Sequence, residues 1–257
     1  MRADALLTAR GLAQSRAQAQ ALIMAGKVMA GPRRIDKAGT LLPEDAELSV
    51  QSGPRFVSRG GEKLDHALDV FAAHGLNISG FVCVDIGAST GGFTDCLLQR
   101  GASRVIAVDV GYGQLAEKLR KDSRVESRER TNARDLRPCD FSQPIDLVVI
   151  DASFVGLSTL IVPIARLLRP GAHLVALIKP QFEAGKEAAR KGRGVIRDEE
   201  TRQAAIESAQ KAVIAAGFKE IAQSDSALRG PKGNLERFIY AQRSTELTAQ
   251  EDDDTGT

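Results

Sequence analysis

Four charged residues, Lys63, Asp151, Lys179 and Glu236, could together activate a hydroxyl group. Each stands at the end of an expected helix or strand, on the side where a ligand would sit. Two lysines and two acids around one crevice can depress the proton affinity of a lysine through mutual charge and burial. A lysine tuned in this way accepts or orients the proton of a hydroxyl, which is a poor nucleophile until that happens. Any one of the four has an ordinary surface explanation. Their meaning comes from being read as a set.

A ligand for the same crevice is suggested by Val82 to Asp95, where Val82-Cys83-Val84-Asp85-Ile86-Gly87 is followed by Ala88-Ser89-Thr90-Gly91-Gly92-Phe93-Thr94. An apolar run, an acid, a glycine and then small residues form the grammar of a strand, a tight turn and a helix start in a doubly wound sheet. Gly87, Gly91 and Gly92 leave the backbone free to pass close to a ligand. A second apolar run closes on Asp109, 22 residues after Gly87, where an acid reaches ribose hydroxyls. Ala88-Ser89 replaces the second glycine of the dinucleotide fingerprint, so the helix start is not built for a pyrophosphate, and the oxidoreductase reading falls with it. An adenosine ligand without phosphates fits better, with S-adenosylmethionine the leading candidate. The expected cofactor-binding residues are Asp85, Gly87, Ala88, Ser89, Gly91, Gly92, Phe93 and Asp109. Asp135, in Asn132-Ala133-Arg134-Asp135-Leu136, is expected near the adenine.

The elements that must position these groups are legible in order. Ile145 to Asp151 is a nearly continuous apolar run, a strand buried on both faces. Ala172 to Ile178 is the next strand and closes on Lys179. Acids or a lysine thus end four strands, and ligands of open parallel sheets bind outside those carboxyl ends. Val125 to Arg130 is a short strand, and Gln114 to Lys121 and Leu157 to Leu168 are helices. Glu199 to Ala216 is an amphipathic helix, and Phe218 to Ser224 and Leu235 to Gln242 form a final antiparallel pair. The helix from Glu62 to Ala73 opens with Lys63 in its first turn, against the macrodipole, at a cost of about 0.3–1 kcal/mol. Residues 181 to 197, with five basic side chains among glycines, read as a long loop that either covers RNA or is simply solvated.

Ahead of this lies a separate module, residues 1–50. Ala3, Leu6 and Leu7 face one side of a short helix stopped by Gly11, and Ser15 caps a second helix ended by Gly26. Lys27 to Ala30, a Gly31-Pro32 turn and Arg33 to Ile35 form a hairpin, and Glu47 to Val50 closes it. Residues 51–61, with Gly53, Pro54, Gly60 and Gly61, read as a linker to a domain spanning 62–243. The last fourteen residues hold five acids and no base and read as a solvated, disordered tail. The net charge of +2 therefore becomes +7 over the preceding residues, which suggests a polyanionic partner. Hydrophobic residues make up 43%, enough for a real core, and no apolar run approaches the roughly 20 residues of a membrane span. Three unclustered cysteines argue against a disulfide framework or a zinc site and point to a reducing cytoplasm.

The N-terminal pattern of Arg2, Asp4, Leu6, Gly11, Ser15, Arg16, Ala19, Ile23, Gly26, Lys27 and Val28 resembles the alpha-L RNA-binding module of a ribosomal small-subunit protein, tyrosyl-tRNA synthetases and pseudouridine synthases. That resemblance implies an RNA-facing set of Arg2, Ser15, Arg16 and Lys27. With it, the four charged residues, Ser58-Arg59-Gly60-Gly61-Glu62-Lys63-Leu64, the stretch from Asp85 to Thr94, Asp151-Ala152-Ser153-Phe154 and Lys179-Pro180-Gln181-Phe182-Glu183 look like the TlyA (hemolysin A) family. Its members are S-adenosylmethionine-dependent 2′-O-ribose methyltransferases of ribosomal RNA, with a catalytic domain similar to the FtsJ/RrmJ heat-shock methyltransferase. The resemblance implies an α/β chain: a Rossmann-like class I methyltransferase sheet with a small N-terminal α+β RNA-binding domain. It also implies cytidine in 16S and/or 23S rRNA as target, and in-line attack of the 2′-oxygen on the sulfonium methyl. Lys179 would activate the hydroxyl, Asp151 and Glu236 would tune Lys179, and Lys63 would position the ribose. Two rivals compete with this expectation: a non-catalytic ribosome-assembly factor, and a cytolysin, which lacks a membrane-active segment.

Overall fold

The computed structural model describes residues 1–51, 53–153, 155–185 and 192–245. Phe154, the basic residues Lys186, Arg190 and Lys191, and nearly all of the acidic tail lie outside them. The chain divides into two compact units between Arg55 and Phe56.

In the first unit, α1 (Ala3–Ala9) and α2 (Arg16–Met24) pack over a three-stranded antiparallel sheet of β1 (Val28–Ala30), β2 (Arg33–Arg34) and β3 (Leu48–Val50), in the order β2-β1-β3. The Ser15 side chain accepts the Gln18 N–H at 3.2 Å and caps α2, as its position predicts. Leu6, Leu7, Ala19, Ile23, Val28 and Ile35 fill the small core.

The second unit is built on a seven-stranded sheet. Its strands are β4 (Val82–Ile86), β5 (Arg104–Val108), β6 (Val125–Arg128), β7 (Leu147–Ile150), β8 (His173–Ile178), β9 (Phe218–Asp225) and β10 (Arg237–Arg243). The order is β6-β5-β4-β7-β8-β10-β9, parallel throughout except at the β8-β10 and β10-β9 edges. Successive strands run outward from β4 on one side and from β7 on the other, so the order reverses between these two, and there a crevice opens at the carboxyl ends. Helices α3 (Arg59–Ala72), α4 (Gly92–Gln99), α5 (Glu117–Arg120), α6 (Leu157–Ala165), α7 (Pro180–Glu183) and α8 (Glu199–Ala215) connect the strands. Both sheet faces are covered, by one apolar layer around Ile161, Ile164 and Val213 and another around Leu64, Phe71 and Leu97.

Two expectations change. Helix α3 begins at Arg59, not Glu62, so Gly60 and Gly61 belong to a helix and not to a linker, and Lys63 escapes the first turn and its dipole cost. The reason is close packing. A Cβ on Gly61 would overlap the Phe56 ring, and one on Gly92 would overlap the Ser58 hydroxyl and stand 2.9 Å from the Gly61 nitrogen. The glycines let the starts of α3 and α4 meet. The loop expected from residue 181 likewise opens as α7.

Candidate active site

The crevice is a cavity of about 900 Å³, within the usual range for ligand sites and near its upper end. Its first half is made by the turn after β4. Gly87 has φ +84°, and a Cβ there would stand 2.8 Å from the Asp151 carbonyl oxygen. Gly91, which caps α4 with φ +94°, has the Leu115 and Leu119 side chains where a Cβ would go. These glycines are thus demanded by the chain's own packing as well as by any ligand. The turn is tied to the end of β5: Asp109 accepts the Ser89 N–H at 2.8 Å with one oxygen and the Gly111 N–H at 2.6 Å with the other. Each carboxylate oxygen keeps a second lone pair for a hydroxyl. Ile86, Val108, Ala133 and Leu160 supply an apolar stretch of wall.

Of the residues expected at a cofactor, Gly87, Ala88, Ser89, Gly92, Phe93 and Asp109 line this cavity, whereas Asp85, Gly91 and Asp135 do not. Asp135 ends a single 3-10 turn and is exposed; its neighbours Asn132 and Ala133 reach the cavity instead. Asn132 accepts the Arg134 N–H at 3.1 Å and so holds that turn, which an Asx-type signal in the sequence already allowed.

Asp85 is fully buried beneath the turn and accepts the Thr94 hydroxyl at 2.7 Å. Burial pushes its carboxyl up to about 7, with the Thr94 hydrogen bond opposing and Asp151 adding to the rise. A carboxyl whose folded pKa is raised binds its proton more tightly in the folded state. Its contribution to stability is full below the ordinary value near 4 and is lost as pH rises through about 7. Urea unfolding from pH 4.5 to 8 should therefore show wild type losing on the order of 1–4 kcal/mol relative to Asp85→Asn. Parallel curves for the two proteins would sink this account of Asp85.

The other half of the cavity brings the four charged residues together. Lys179 follows β8 and Asp151 follows β7; Nζ lies 2.5 Å from Asp151 Oδ1 and donates to Ser153 Oγ at 3.0 Å. Lys63 and Glu236, 173 residues apart, pair at 2.5 Å. Both lysines are more than nine-tenths buried, and Glu236 is 1% exposed. The β8-β10 register pairs Ile178 with Arg237, which sets Glu236 beside Lys179 at the strand ends. The expected tuning of Lys179 by both acids becomes two separate pairs, with Glu236 holding Lys63. Burial raises the pKa of Asp151 against the opposing charges of Lys179 and Lys63, with Glu236 adding to the rise. Ser153 lies in a stretch that carries the family resemblance, but a hydroxyl two residues past a strand-ending acid has no distinctive signal of its own.

In the first unit, Arg2 and Arg16 share one buried carboxylate. Asp4 accepts from Arg2 at 3.1 Å, from Arg16 at 3.3 Å and from Gln20 at 3.0 Å, and the Arg2 and Gln20 hydrogen bonds hold its carboxyl well below the usual range. Both arginine side chains remain at least half exposed. Lys27 is half-buried, and Ser15 is exposed, its oxygen accepting the Gln18 N–H of the cap and its O–H donor remaining.

The family model described as FtsJ-like methyltransferase matches residues 56–244, and that of the S4 domain matches residues 1–48. The chain is 43% identical over 247 residues to the 16S/23S rRNA (cytidine-2′-O)-methyltransferase TlyA of Mycobacterium tuberculosis, covering 95% of this chain and 91% of that one. A solved chain from Streptococcus thermophilus, named for hemolysin, superposes with a TM-score of 0.72 at 39% identity, covering 96% of this chain and 89% of the other. An S-adenosylmethionine-dependent methyltransferase from Mesorhizobium loti shares the fold alone, with a TM-score of 0.50 at 16% identity over 68% of this chain and 96% of its own.

Proposed function

Since this chain belongs to the FtsJ-like methyltransferase family, in the TlyA group that carries an S4 domain ahead of the catalytic unit, we propose that it methylates a ribose 2′-hydroxyl of ribosomal RNA. The target is a cytidine of 16S or 23S rRNA, and the methyl donor is S-adenosylmethionine. The observation that carries this reading is the pair of buried lysine–carboxylate bridges on the wall of the cavity that also holds Asp109 and the Gly87–Ser89 turn.

The residues present suit the donor: Asp109 has free lone pairs for ribose hydroxyls, and the apolar strip with Asn132 and Ala133 suits an adenine. When bound, S-adenosylmethionine supplies a methyl group already activated on a sulfonium. What remains for the chain is to place an acceptor oxygen and remove its proton. Lys179 removes the proton. As it takes the hydroxyl proton, it passes one of its own to Asp151, whose Oδ1 lies 2.5 Å from Nζ. Lys63, clamped by Glu236, orients the ribose.

The test uses purified protein, methyl-labelled donor and separated ribosomal subunits, with the label mapped on the RNA. Label at a ribose 2′-oxygen is expected. Label on a base, or tight subunit binding without transfer, would overturn the reading, the latter in favour of an assembly factor. A cytolysin is not supported: among the described residues no helix is long and apolar enough to cross a membrane.

The S4 unit would supply RNA affinity through Arg2, Arg16 and Lys27. Arg16→Ala with Lys27→Ala should weaken subunit binding and reduce the slope of log affinity against log salt by about 1–2, since each phosphate contact releases counterions. An unchanged slope would leave these two side chains off the RNA.

A further inference from the structure

Beyond the two ion pairs, the cavity wall includes three cations with no carboxylate partner among the described residues, Arg59, Arg134 and Lys232, and the last of these is held in place by its surroundings. Lys63 and Lys179 are each neutralised by an acid, but Lys232 on the same wall is not. Its side chain lies across Gly194, where a Cβ would stand 3.1 Å from Nζ and 3.2 Å from Cδ. Gly194 has φ +86°, so the backbone there also favours glycine. The space that Lys232 crosses is kept open by a residue with no side chain.

The placement is locked by Asn234, which is 3% exposed. Its carboxamide oxygen accepts the Ile196 N–H at 2.9 Å, and its nitrogen donates to the Gly194 carbonyl at 2.8 Å. Its own carbonyl accepts the Gly230 N–H at 2.9 Å, closing the turn that carries Lys232. One buried amide therefore joins the segment from Gly194 to Ile196 to that turn, two residues before Glu236. An exposed lysine on an ordinary turn needs no such support.

We propose that Lys232 is a substrate-binding residue that takes an RNA backbone phosphate beside the acceptor ribose, and that Asn234 is the positioning residue that holds it over the cavity. This rests on the RNA-methylating reading above. A phosphate is the fitting partner because Lys232 shares its turn with the approach to Glu236, on the half of the cavity that holds the acceptor-activating pairs, away from Asp109. Lysine meets phosphate as a point charge, which suits recognition of backbone without reading sequence.

The experiment is steady-state methylation of ribosomal subunits over a range of salt, with cofactor affinity measured separately. Lys232→Gln should raise KM for RNA on the order of tenfold, leave kcat within about twofold, and reduce the salt slope by about one. Lys232→Arg should restore most of the loss, since a cation returns. Asn234→Ala should raise KM in the same direction, and Lys232→Gln should add little on top of it. If Asn234→Ala fails to fold, the exposed Lys232 variants still decide the question. Unchanged KM and slope in Lys232→Gln would overturn the proposal, and so would a loss confined to cofactor affinity. Absence of transfer by the wild-type protein would instead overturn the methyltransferase reading itself.

Discussion

Lys179→Ala should lower the single-turnover rate of methyl transfer by about 10²–10⁴, the range for a positioned acid–base group, while cofactor and RNA affinities hold. The geometry gives the reason. Lys179 Nζ is engaged by Asp151 Oδ1 at 2.5 Å and by Ser153 Oγ at 3.0 Å, so its position is fixed before substrate arrives. Lys179→Arg should not rescue, because a guanidinium stays charged and cannot take the proton. Asp151→Ala should also slow transfer, since it removes the group that receives the lysine's proton and leaves a buried charge unpaired. The measurement is transfer of labelled methyl to subunits at saturating donor. Near-normal transfer by Lys179→Ala would refute its role and move the assignment to Lys63 or a group of the RNA. Loss of RNA binding in step with activity would make Lys179 a substrate contact.

Asp109→Ala should weaken S-adenosylmethionine binding by about 10- to 100-fold with the fold retained. Two effects add. Hydrogen bonds from hydroxyls to a carboxylate are worth about 1.5–3 kcal/mol each, of which only part survives as net affinity. The same carboxylate also holds the Ser89 and Gly111 N–H groups, so the turn bearing Ala88 and Ser89 loses one of its ties to β5 when the side chain goes, keeping those of Gly87 and Ala88 to the Val108 carbonyl. Calorimetry decides the matter, and an unchanged affinity would remove Asp109 from the ribose. The Asp85 variant separates cofactor contact from support. Asp85 lies beneath the turn, off the cavity wall, and its signature should be in the pH dependence of stability rather than in direct contact.

Local order was legible wherever a short-range rule governs it. Ser15 before an apolar-periodic stretch is a cap because its oxygen needs only the N–H three residues on, and Gln18 provides it. The runs that close on Gly87, Asp109, Asp151 and Lys179 read as strands because residues buried on both sheet faces must be apolar almost without interruption. That these four positions gather at one edge follows from parallel strands sharing a direction, so the crevice and most of its lining could be inferred. The sequence also carried the resemblance that marks Lys63, Asp151, Lys179 and Glu236 as a set.

Which charge meets which was not contained in any local rule. Lys63 finds Glu236 because the β8-β10 register delivers the turn before β10 beside the end of β8, a consequence of pairing across the sheet. Gly60 and Gly61 carry the composition of a linker, yet they sit in a helix because Phe56 and α4 approach too closely for any side chain, a steric fact with no trace in the neighbouring residues. Asp135 and Asn132 share one short motif, and only the single 3-10 turn between them decides that Asn132 faces the cavity and Asp135 the solvent. Asn234 looks like turn chemistry in Gly230-Pro231-Lys232-Gly233-Asn234. Its partners at Gly194 and Ile196 are about forty residues away, brought near only by the folded sheet. Short-range periodicity and capping are properties of adjacent residues and survive in the sequence, whereas contacts closed by long loops exist only once the chain has folded around its sheet.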